Sequence, residues 1–139
     1  MPPREEFFKK ELIEELRRVE ALIRREPSIE KKIYYFSGAY GATSRTYRYV
    51  FSKEVLIADI LLQSTYNMLK ERLQLLRSGD RNVSPDGIIF DKICDGLKDL
   101  ANNIESGNSI IGPLETIVTA GFVATGPGNF MREKGDVTL

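Results

Sequence analysis

The sequence predicts an all-α fold, an antiparallel four- to five-helix bundle in a single domain (residues 1–125), with a flexible C-terminal tail (126–139). Three observations predict it. Apolar residues recur at steps of three and four along most of the chain, which is the period of a helix with one face turned inward. Serine, proline and glycine stand where such segments begin and end. The two stretches that also suit a strand, 45–51 and 113–124, have no evident strand to pair with.

Residues 4–25 form the first amphipathic segment. Phe8, Leu12, Leu16, Val19 and Ile23 make one narrow stripe, and Pro27 stops the helix. Glu5–Lys9, Glu6–Lys10, Glu14–Arg18 and Glu20–Arg24 are spaced as i,i+4 ion pairs. Ser28 is a suitable N-cap for the next helix. From residue 29 to 77 the apolar period continues, which is too long for one helix in a domain of this size. The sequence GAYGATS (38–44) has turn composition, and Ser44 can cap a restart, so the break is expected there; Ser52 is the alternative. The apolar face of 53–77 spans half the circumference, as expected of a central helix, and Gly79 closes it. Ser84, Pro85 and Asp86 carry the signature of another helix start, and Gly107 ends that helix. Segment 114–124 is apolar on nearly every side and reads as a buried helix, filling the core or contacting a second copy.

Composition restricts the chemistry. The chain has 139 residues, no His and one Cys. No imidazole base, Ser-His pair or Cys-His pair is possible, and no His can ligate a metal. The lone Cys94 cannot form an internal disulfide, which suits a cytoplasmic protein. The charged start is no signal peptide, and the longest uncharged run, 16 residues at 116–131, is broken by Gly and Pro, so no membrane span is expected. No catalytic residue, cofactor site or metal site is specified, and the residues carry no family resemblance.

Charge is balanced but unevenly placed. Residues 28–53 hold Lys31, Lys32, Arg45, Arg48 and Lys53 against Glu30, a net +4; residues 80–115 carry a net −4. Five of the six tyrosines lie in 34–49. On a helix, Tyr34, Gly38, Gly41, Arg45, Arg48 and Tyr49 share one side, opposite Ile33, Phe36, Tyr40, Tyr47 and Phe51. Tyr and Arg are residues that interfaces favour, and glycines let another backbone approach. Asp91, Asp95 and Asp99 form an acidic stripe that reads as a solvated face. Arg72 falls inside the apolar arc of 53–77 and Asp59 borders it, and each needs a partner from another helix or subunit.

The expectation is a non-enzymatic helical protein that self-associates, as a homo-oligomer, or docks a protein partner through the Gly/Tyr/Arg side. One alternative is a nucleic acid or phosphorylated ligand on segment 31–53, which zero net charge does not favour. Another is an enzyme with a polar pocket around Asp59 and Arg72.

Overall fold

A computed structural model describes residues 3–79 and 88–124 as five α-helices. They are α1 (Pro3–Arg25), α2 (Ile29–Tyr47), α3 (Lys53–Arg77), α4 (Ile88–Ser106) and α5 (Ile111–Ala124), and the described residues contain no strand. The tail at 126–139 and the helix start at 84–86 lie outside the described residues.

The helices close into a ring. Each packs mainly on two others, in the order α1–α2–α3–α5–α4 and back to α1. Alternating directions cannot close on five members, so one neighbouring pair must run parallel. That pair is α3 and α5. Glu54 and Ile57 lie beside Ile110 and Ile111 at one end, and Thr65 and Met68 meet Gly121 further along. The other pairs are antiparallel, as contacts from Lys32 to Ile23, Ser44 to Asp59, Arg17 to Glu105 and Asn103 to Ser109 show. Helix α3 is therefore not central as its wide apolar face suggested. Ile57 and Ile60 on that face remain exposed because α3 has neighbours on two sides only.

The inward stripes meet in one core, with Leu16, Ile23, Phe36, Leu62, Leu69, Phe90, Leu97, Leu114 and Ile117 all fully buried. Segment 114–124 contributes Leu114, Ile117, Ala120 and Gly121 to it, while Phe122 stays on the outside. Small residues set the closest approaches. A Cβ on Gly96 would collide with Ile117 and lie 3.1 Å from the Pro113 carbonyl oxygen, so α4 and α5 touch there.

Helix ends follow the sequence closely. Ser28 accepts from the Lys31 N–H, and Ser52 accepts from the Val55 N–H. Gly79 and Gly107 take the left-handed conformation that ends a helix, with φ of 81° and 78°. At Gly107 the Asn108 N–H reaches back to the Asn103 carbonyl and the Gly107 N–H to that of Ile104, a Schellman cap.

The expected break at 38–44 is wrong, and the turn lies at 48–52 instead. Two physical reasons account for this. Ala39 and Ala42 are fully buried, and Gly38 brings Val19 of α1 to 3.2 Å from where a Cβ would stand, so the small residues serve packing. Ser44, the supposed cap, donates its hydroxyl to the Asp59 carboxylate at 2.6 Å. Of the four i,i+4 pairs in α1, Glu20–Arg24 forms as an ion pair, whereas Arg18 turns to Glu15.

Candidate functional site: an aromatic and basic corner

The turn between α2 and α3 lies at the same end of the ring as the start of α1. Thr46, Val50 and Ser52 there surround one cavity with Glu5, Lys9 and Leu12. Proximity of these two segments builds an aromatic cluster that neither forms alone. Phe8 stacks on Tyr49 with 4.1 Å between ring centroids and parallel planes. Phe7 meets Phe8 edge-on at 5.3 Å, and Tyr47 meets Phe51 edge-on at 5.7 Å. The Arg4 guanidinium lies 5.1 Å from the Tyr49 centroid, within cation–π range.

Much of this cluster faces outward. Phe51 is 79% exposed, Phe7 57% and Tyr49 40%. Phe51 was expected on the core stripe. The turn at 48–52 removes it from helical register, which is why it points out. Arg4, Arg45, Arg48 and Lys53 are exposed around it, and among the described residues none of them takes part in an ion pair.

The six residues expected to share one side are divided. Arg45, Arg48 and Tyr49 sit together at the corner. Tyr34 is 71% exposed but lies near the opposite end of α2, with Tyr35 beside it at 5.9 Å. Gly38 belongs to the α1–α2 seam, while Gly41 has no neighbour within 4 Å of an added Cβ. Lys32, counted with the basic segment, donates from Nζ to the Ile23 carbonyl at 2.6 Å and caps the end of α1.

Asp59 and Arg72 do not form one pocket. Asp59 accepts from Ser44 at 2.6 Å and Thr43 at 3.2 Å, a polar clamp between α2 and α3. Arg72 is fully buried about 20 Å further along α3 by helical rise, and it is engaged with its own surroundings. Of the acidic stripe on α4, Asp95 pairs with Arg24 of α1, which also holds Glu20; Glu105, further along α4, pairs with Arg17. Among the described residues no group of three or more acidic or thiol side chains is placed to hold a metal ion. Cys94 is buried 3.7 Å from the Glu20 carbonyl, and burial pushes its thiol up to about 11, so it is neutral at pH 7.

Sequence reading found Arg45, Arg48 and Tyr49 but missed Arg4, Phe7 and Phe8. The available signal was a pair of adjacent phenylalanines, of which the α1 stripe could bury only one. A second feature was also missed, the cavity of about 260 Å³ lined by four helices, α1 to α4, and by the α2–α3 and α4–α5 turns.

No helix among the described residues is long and apolar enough to cross a membrane. No family model, curated protein or solved structure matches the chain.

Proposed function

We propose that the chain is a non-enzymatic docking protein whose aromatic and basic corner grips an acidic segment of a protein partner. The observation that carries this reading is the Phe8–Tyr49 stack with Arg4 over the Tyr49 ring, and with exposed Arg45 and Arg48 just before Tyr49 in the chain, none of the three in an ion pair among the described residues. Fixed aromatic rings lose little freedom on binding, and arginines beside them complement carboxylates.

Charge argues for a different protein over a second copy. A two-fold contact through this corner would set arginine against arginine. The acidic α4 stripe is a weaker answer, since Arg24 of the same chain already occupies its middle carboxylate, Asp95. Nucleic acid is the second reading. It is less favoured because Phe8 covers one face of Tyr49 and Arg4 lies over the same ring, leaving little face for a base. A buried free thiol suits a reducing compartment, and we place the protein in the cytosol on that ground.

Titration with a peptide of alternating Glu and Leu tests the reading, with a single-stranded oligonucleotide as competitor. The peptide should bind at low salt, and Arg45→Glu with Arg48→Glu should weaken it at least about tenfold, the loss of roughly 1.4 kcal/mol. Equal affinity in the double variant, or tighter binding of the oligonucleotide, contradicts it. Light scattering should give a monomer at low and high salt; a salt-sensitive oligomer would transfer the interaction to copies of this chain.

A further inference from the structure

The cavity at the end of the ring lies beside the aromatic corner, between the same two segments but lined by other residues. Its floor is apolar, with Leu12, Val55, Ala58 and Ile104 drawn from three helices and Ile110 from the α4–α5 turn. Its volume, about 260 Å³, lies near the lower limit of small-molecule sites. A second recess of about 290 Å³ adjoins it between the start of α3 and the α4–α5 turn, sharing Glu54, Gly107, Asn108 and Ile110.

One polar side chain in the wall keeps its hydroxyl open to the cavity. Thr46 is only 3% exposed, and its hydroxyl makes no hydrogen bond among the described residues. Thr43 and Thr65, buried to the same degree, each donate to a carbonyl of their own helix. The little surface that Thr46 exposes includes this hydroxyl, which is open to the cavity it lines. The rim supplies charge. Glu5 and Glu54 stand against Lys9, and the carbonyl end of α4, with no basic residue in its last turn, opens on the same space.

We infer that this cavity binds a small aliphatic ammonium ion, its alkyl body on the apolar floor and its head donating to the Glu5 and Glu54 carboxylates and to the Thr46 hydroxyl oxygen. Each part of the molecule meets a part of the wall. The apolar floor supplies most of the binding through area removed from water, at about 25 cal/mol per Å². The carboxylates select the sign of the head group, and Thr46 selects a ligand with a hydrogen-bonding atom over a pure hydrocarbon.

The test is a two-dimensional amide NMR titration with three probes of one chain length: n-hexylammonium, 1-hexanol and hexanoate. Hexylammonium should bind tightest and move the amides of Thr46, Val55, Ile104 and Ile110. Thr46→Val should weaken it about threefold or more. Ala58→Leu, which fills the floor, should abolish binding without lowering the melting temperature. If Ala58→Leu does not fold, Glu54→Gln replaces it and should remove the preference for ammonium over alcohol. Absence of shifts at these four residues overturns the inference. So does hexanol or hexanoate binding as tightly as hexylammonium.

Discussion

The ring of Phe8 lies flat against the ring of Tyr49, joining the first turns of α1 to the turn between α2 and α3. This contact orders part of the exposed corner, with Phe7 edge-on against Phe8 and Arg4 over Tyr49, while Phe51 packs separately against Tyr47. Phe8→Ala should therefore act twice. It should lower stability in urea by about 1–3 kcal/mol, less than a core Phe because Phe8 is only half-buried. It should also weaken the acidic peptide although Phe8 carries no charge. An unchanged peptide affinity would mean that the stack does not organise the corner.

Glycines at two positions should respond in opposite directions. Alanine raises helix propensity by about 1 kcal/mol over glycine in either helix. At Gly96 an added Cβ runs into Ile117 and the Pro113 carbonyl, so Gly96→Ala should destabilise by about 1–3 kcal/mol. At Gly41 nothing stands within 4 Å, so Gly41→Ala should stabilise by up to about 1 kcal/mol. Chemical denaturation of both variants decides the matter, and equal effects would refute the packing of α4 on α5.

The Asp59 clamp should show coupling. Removing the carboxylate with Asp59→Ala leaves the Ser44 hydroxyl without its acceptor, at a cost of about 1–3 kcal/mol. A double-mutant cycle with Ser44→Ala should give an interaction energy of about 0.5 kcal/mol or more. Strict additivity would show that the two side chains do not interact in solution.

Cys94 gives a pH dependence with a definite sign. Burial raises its thiol from 9.0 to about 11. Between those values the unfolded chain loses the proton and the folded chain keeps it, so the folded state binds more protons and stability falls as pH rises. The contribution is fully present below about pH 9 and fades as pH approaches 11. Denaturation midpoints measured across that range should fall more steeply for the native chain than for Cys94→Ala. Parallel slopes would contradict the burial.

The helices were legible because their signals are local. The Ser28 cap, the Gly79 and Gly107 stops and the Leu12–Leu16–Val19–Ile23 stripe each depend on residues within a few positions. The misplaced break shows where local signals stop. Small residues at 38–44 suit a turn and a close helix contact equally, and only the position of Val19 on another helix decides between them. The same limit applies to the corner. Arg45, Arg48 and Tyr49 are near one another in sequence, whereas Arg4, Phe7 and Phe8 reach them only through closure of the ring. The cavity was illegible for a stronger reason: its walls come from four helices and two turns, and no segment of the chain contains more than a part of them.

The most direct test of the docking account is an amide NMR map of the Glu/Leu peptide on the protein at low salt and again at about 0.5 M, where exposed charges are largely screened. The account predicts shifts concentrated at Arg4, Phe8, Arg45, Arg48, Tyr49 and Phe51, diminished at the higher salt. Shifts centred instead on the exposed α3–α5 residues Ile60 and Phe122, unchanged by salt, would contradict it.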